Sequence, residues 1–392
     1  MIPWIVAFTI FICAENLGFA ALQIWLLERR RPRPNWLAWL ICCWGALMSG
    51  LFILQACEPE SWKSFMYEWL YFPMAVEMVW NVLFLQVLLP GMILVALAVR
   101  RFSRTPLSQP LTHAGISRRK FLYLAGYSVV PVAAVSLGVH GLLTREDLRV
   151  REFTISIAGL PPELEGFTIA HVSDLHAGLF VGPKRLKIMS DMTNDLKADL
   201  VAVTGDLINR EMSEFPSALA AIQRLESRYG LYLCEGNHDV IPGDGLIVAA
   251  CAQNGLNMLY NSYATLSVHG RRLIIAGLPW ERSAYPGQDP DIAALFPARQ
   301  AGDVRILLAH HPHTFDAVNG ADLLLSGHTH GGQIMLTENI GLGRLRFKYC
   351  SGRFQRGNTT MIVNNGCGDW FPCRIGAPAE IGLLRLTKAQ TV

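Results

Sequence analysis

Eight short apolar runs between residues 151 and 392 constrain this chain most: "FTIAHVSDLH", "DLVAVTGDLI", "GLYLCEGNHD", "RRLIIAGLPW", "VRILLAHHP", "ADLLLSGHTHGG", "TTMIVNNGCG" and "AEIGLLRLT". Short apolar runs separated by amphipathic stretches read as hydrophobic strands. Five of the eight stop at Asp, Asn or His, usually beside Gly. In an open α/β sheet, functional groups gather where loops converge beyond the carboxyl ends of the strands, so repeated strand ends of this kind imply one shared site. Residues 183–197 and 214–228 read as helices between strands. The last strands follow one another without a helix, so the sheets are expected to be mixed and packed in layers.

The residues at these ends form a mixed oxygen and nitrogen set. Asp174 and His176 alternate after the first run, Asp206 follows the second, and Asn237, His238 and Asp239 follow the third. His310 closes the fifth, and His328 and His330 close the sixth. Without thiolate, such ligands suit Mn²⁺, Fe, Zn²⁺ or Co²⁺ and do not decide among them. There are more donors than one ion needs, and a carboxylate such as Asp206 can bridge two ions about 3.5–4 Å apart.

"SDLH", "TGDLI", "GNHD", "LLAHHP" and "SGHTHGGQ" resemble, in identity and order, the five signatures of the calcineurin-like metallophosphoesterases. The likeness runs to "PAEIGLLRL" and covers nearly all of residues 151–387. It is nearest to a bacterial branch in which the catalytic domain follows a twin-arginine or transmembrane start. The resemblance implies that Asp174, His176 and His330 hold a first metal, that Asn237, His310 and His328 hold a second, and that Asp206 bridges both.

It further implies hydrolysis of a phosphoric ester by metal-activated water, with no Ser or Cys nucleophile. His238 stands at the family's catalytic histidine and would protonate the leaving group, with Asp239 orienting it or raising its pKa. His311 and His313 are read as groups lining the site or lying on the surface. Gly205, Gly236, Gly327, Gly331 and Gly332 would let the backbone approach ions and phosphate closely.

The front of the chain is different in kind. Its 51% hydrophobic content against 17% charged is high for a wholly soluble protein. Residues 1–120 carry 11 Lys/Arg and 6 Asp/Glu, leaving 23 and 25 in the rest, which suggests a membrane and not nucleic acid as the partner. Four apolar runs, about 2–27, 36–56, 70–99 and 121–143, are long enough to span a bilayer. An α-helical membrane domain of about four helices over residues 1–150 would thus precede a phosphoesterase domain over 151–392.

Loop 28–35 holds four arginines and loop 100–120 six Lys/Arg, whereas loop 57–69 holds only Lys63. The positive-inside rule then puts the catalytic domain on the extracytoplasmic side of a bacterial inner membrane. Ser117, Arg118 and Arg119 open the fourth run like a twin-arginine signal, although it follows three other spans. Glu15, Asn16, Gln23, Glu77 and Asn81 lie within spans, as interhelical hydrogen-bonding groups or as a polar pocket.

The expected substrate is a phosphorylated small molecule or lipid near the membrane. An enzyme resembling UDP-2,3-diacylglucosamine pyrophosphatases and a non-catalytic sensor are the alternatives. "GLGRLRFKYCSGRFQRG" reads as a solvated loop and hairpin or as a cationic, aromatic lip. Cys367 and Cys373 are either buried thiols or a disulfide.

Overall fold

The computed structural model describes residues 136–389 apart from 179, 285–291, 338–339 and 371–372. The expected spans 2–27, 36–56 and 70–99, and most of 121–143, lie outside the described residues. Among the described residues no helix is long and apolar enough to cross a membrane. The chain divides into Met1–His140 and Gly141–Val392. The expected boundary at 150 falls inside the second unit, because residues 148–150 already belong to a strand, β1 (Leu148–Ile157).

Two six-stranded sheets make up this unit. The first contains β1, β2 (Thr168–Val172), β3 (Leu200–Thr204), β4 (Leu231–Cys234), β5 (Asn257–Met258) and β14 (Ala379–Lys388), in the order β1-β14-β2-β3-β4-β5. The second contains β6 (Ser262–Val268), β7 (Arg271–Gly277), β8 (Val304–Leu308), β9 (Leu323–Ser326), β12 (Gly352–Arg356) and β13 (Thr359–Val363), in the order β12-β13-β9-β8-β7-β6. A short hairpin, β10 (Met335–Thr337) with β11 (Ile340–Gly341), stands apart from both.

Both sheets are mixed, as expected. β2, β3 and β4 run parallel, while β14 pairs antiparallel with β2 and parallel with β1. β7, β8, β9 and β13 run parallel, with β6 and β12 antiparallel at the edges.

The apolar runs are continuous because each central strand is covered on both faces. In β3, Leu200 and Ala202 enter the core between the sheets, whereas Val201 and Val203 enter the core under the helices. In β9, Leu323 and Leu325 join the same inter-sheet core and Leu324 faces a third cluster outside the second sheet. Truncating one of these buried leucines to Ala costs about 2–5 kcal/mol. The result is a layered α/β fold with two sheets face to face.

Helices α1 (Pro183–Asp195), α2 (Phe215–Ile222) and α3 (Leu246–Gln253) cover the first sheet. α1 starts on Gly182 with Pro183 in its first turn and buries Leu186, Met189, Ser190 and Thr193, one face at helical spacing. α2 ends at Ile222, short of the expected Arg228. The Asn194 side chain explains the early stop: it accepts from the Glu226 amide and donates to the Arg224 carbonyl, taking groups that further helical turns would need.

Candidate metal centre

The ends of β2, β3 and β4 in one sheet and of β8 and β9 in the other converge on a single place. Here Asp174, His176, Asp206, Asn237, His310, His328 and His330 come together, as the sequence predicts. Three sets have donor atoms within 4.8 Å of one another: Asp174, His176 and His330; His176, Asp206 and His238; and Asp206, His310 and His328. Asn237 joins the last, its Oδ1 lying 2.7 Å from His328 Nδ1 and 3.2 Å from His310 Nε2. Asp206 Oδ2 lies 3.1 Å from His310 Nε2 and 3.5 Å from His176 Nε2, so it stands between the two groups.

The backbone is strained where these side chains leave it. Asp174, His176, Asp206, His328 and His330 all have positive φ, between 46° and 71°. Non-glycine residues seldom adopt this region, and they hold it at functional sites because surrounding contacts over-determine the turn. The Asp174 carbonyl accepts from Gly368 N, and its carboxylate from Ser173 Oγ and His328 N. A Cβ at Gly236 would collide with the amide and carboxylate of Asp206, so only glycine lets that turn close.

The electrostatics suit cations. Two buried carboxylates face a set of buried imidazoles. Burial alone would lower the His310 pKa, yet Asp206 and Asp174 push it up to about 10. Burial works against ionising Asp174 and Asp206, but neighbouring histidines hold both below the ordinary carboxylate range. His176 and His330 bring their Nε2 atoms within 3.0 Å of each other, and His176 Nδ1 has no hydrogen-bond partner. Two imidazole nitrogens converging beside a carboxylate are the donor types of a divalent-ion site.

His238 differs from its expected setting. Its Nδ1 lies 2.5 Å from the Asn209 carbonyl, which can only accept, so Nδ1 carries the proton and Nε2 is the exchangeable atom. The expectation for Asp239 is that it orients His238 or raises its pKa; its hydrogen bonds go to backbone amides instead. Its carboxylate accepts from the amides of Asp206, Leu207 and Gly236. Burial and the Asp206 charge push the Asp239 pKa up to about 7, against the amides of Gly236 and Leu207. Asp239 therefore shapes the turn that carries Asp206, and Asn209 orients His238.

The flank of the centre is aromatic. Trp280, at the start of α4 (Trp280–Ala284), packs its ring 5.1 Å from His328 and 5.8 Å from His310. His311 is buried with its ring 4.6 Å from His328, so it lines the site. Phe347 lies 5.5 Å from His328, which brings the Arg- and aromatic-rich segment after the last motif to the rim. Cys234, Cys251, Cys350, Cys367 and Cys373 are buried free thiols.

Residues 167–332 match the family described as calcineurin-like phosphoesterase. Over that stretch the chain is similar to calcineurin-like metallophosphoesterases. Among its relatives, a transmembrane protein with metallophosphoesterase domain from Danio rerio is 31% identical over 64% of this chain and 61% of its own length. An uncharacterized metallophosphoesterase of Helicobacter pylori strain J99 is 30% identical over 61% of this chain and 64% of its own. The uncharacterized metallophosphoesterase YkuE of Bacillus subtilis is 29% identical over 69% of this chain and 98% of its own. The chain thus spans 61%, 53% and 64% of the first three curated relatives it matches.

Around the centre, Arg374, Asp369, Asn209 and Trp280 are the residues that strand-end reasoning missed. Arg374 is fully buried and donates to the carbonyls of Asn365, Gly366, Gly368 and Ala377 and to the Asp369 carboxylate. The available signal was an arginine in "NNGCGDWFPCRIG", a stretch otherwise without positive charge. Trp280 ends the fourth run, at a strand end like the ligands, but is not a ligand type.

Proposed function

We propose that this protein is a membrane-anchored hydrolase of phosphoric esters that uses two divalent cations. The observation that carries the reading is Asp206, set between the donors Asp174, His176 and His330 on one side and Asn237, His310 and His328 on the other. Two divalent cations bound there would supply Lewis acidity and an acidified water, whichever of Mn²⁺, Fe, Zn²⁺ or Co²⁺ they are.

The protein's own groups do the rest. Asp239 and Gly236 fix the turn that aims Asp206. His238, held at Nδ1 by the Asn209 carbonyl, gives up a proton at Nε2 to the leaving oxygen. Trp280 and Phe347 keep water from one side of the histidine cluster. The four apolar runs and their flanking charges support an inner-membrane location with the domain outside the cytoplasm. A relative named as a transmembrane protein supports the anchoring. Lipid phosphoesters or other phosphoesters close to the membrane are the substrates this placement favours.

The test is phosphate or nucleotide release from aryl phosphodiesters, phospholipids and UDP-linked lipids by the full chain with Mn²⁺, against Asp206→Ala. Release lost by more than about a hundredfold, beyond what removing an outer-sphere partner causes, supports the reading. Equal release by both proteins overturns it. Cleavage of UDP-linked lipid alone would move the assignment to a pyrophosphatase.

A further inference from the structure

Among the described residues, the three most exposed large apolar side chains lie on neighbouring segments. Leu336 is 83% exposed, Leu143 77% and Ile340 57%, and Trp370 is exposed as well. They lie on three segments that hydrogen-bond to one another. The Arg374 amide donates to the Gly141 carbonyl, and Thr144 Oγ1 donates to the Arg374 carbonyl. The next residue, Ile375, accepts from Met335 N at the base of the β10–β11 hairpin. Residues 141–144, the segment at Arg374 and Ile375, and the start of the hairpin at Met335 therefore adjoin one another.

Two further observations give this face its occupant. Leu143 is the last residue of the fourth apolar run, so a run that spans a bilayer delivers the chain to this spot. Arg344, Arg346 and Lys348 follow β11 in the chain and are exposed, with Lys348 2.7 Å from Asp316. Exposed apolar side chains followed by cations are the composition of a surface that sits at the boundary between acyl chains and anionic headgroups. We propose that this face rests on an anionic bilayer, with Leu336, Ile340 and Leu143 entering the interface.

The proposal rests on the membrane-anchored reading and adds how the domain is oriented. Gln333 joins the face to the centre: its amide donates to the His330 carbonyl and its carbonyl accepts from Ile375 N. A phosphoester in a lipid headgroup would then lie beside the ligands without its lipid leaving the bilayer.

The experiment places p-benzoylphenylalanine, one site at a time, at Leu336, Ile340 or Tyr263 in the full chain. Tyr263 is 47% exposed on the edge strand β6 and serves as the control. Each protein is reconstituted into vesicles of phosphatidylethanolamine and phosphatidylglycerol, floated on a density gradient, irradiated and analysed for lipid adducts by mass spectrometry. An unchanged thermal transition shows that each variant is folded. Adducts at 336 and 340 about tenfold above those at 263 are expected for residues held at the interface. Chains that float but show equal adducts at all three positions overturn the docking face and leave the anchoring intact. Chains that fail to float overturn the anchoring and the docking face together.

Discussion

Arg374 places a guanidinium nitrogen 3.2 Å from Nδ1 of His330, although neither side chain reaches solvent. The same arginine ties down the loop Asn365–Asp369, whose amides at Cys367 and Gly368 donate to the carbonyls of Ser173 and Asp174. Two residues of the first donor group, Asp174 and His330, thus share one buried anchor.

Arg374→Ala should leave the buried Asp369 carboxylate short of one of its two cationic partners and take a donor from the carbonyls of Asn365, Gly368 and Ala377. Breaking a buried pair costs about 3–5 kcal/mol. Thermal denaturation should show that loss, and metal analysis of the remaining folded protein should show less than two ions per chain. Unchanged stability and unchanged metal content would refute the anchoring role.

His238→Gln keeps the seven ligand residues and removes the exchangeable proton. Turnover should fall about 10²–10⁴-fold for an alkyl leaving group, the range for a positioned acid. A nitrophenolate leaves without needing that proton, so the loss on an aryl ester should be much smaller. Equal losses on both substrates would assign His238 to metal binding instead.

Gly236→Ala adds one methyl group where the Asp206 amide and carboxylate already lie. The neighbours are backbone and a buried ligand, so the strain should cost about 1–3 kcal/mol. Denaturant titration measures that cost, and metal retention should fall with it. A fully stable, metal-replete variant would show that the turn has room.

Asp369 ties acid stability to the same anchor. Burial opposes its ionisation, but Arg374 and Arg185 more than offset this and hold its pKa below the ordinary value. A lowered folded pKa contributes stability above the unfolded value of about 3.9, and that contribution is lost as pH falls through the folded pKa. Asp369→Asn should therefore destabilise the protein at pH 6 more than at pH 3. A constant difference in melting temperature across that window would show that the pair does not set the acid limb.

Much of the site was legible in the chain because strand ends announce themselves. An apolar run that stops at Asp206 or His310 names both the strand and the ligand, and the parallel order of β2, β3 and β4 aligns those ends. Asp239 follows His238 in the sequence, whereas its hydrogen-bond partners are amides 32 and 33 residues earlier as well as Gly236. β1, β6 and β12 went unread because strands at or near sheet edges alternate exposure and lack a continuous apolar run.

The sequence by itself determined the residue types of the centre, their order and the strands that carry them, since local burial and turn chemistry are written in adjacent residues. Only the tertiary structure decided which donors meet. His176 and His330 are 154 residues apart in the chain and 3.0 Å apart in space. It also chose the partners of Arg374, Asp239 and His238, because a buried polar group takes whichever donor or acceptor the packed layers bring to it.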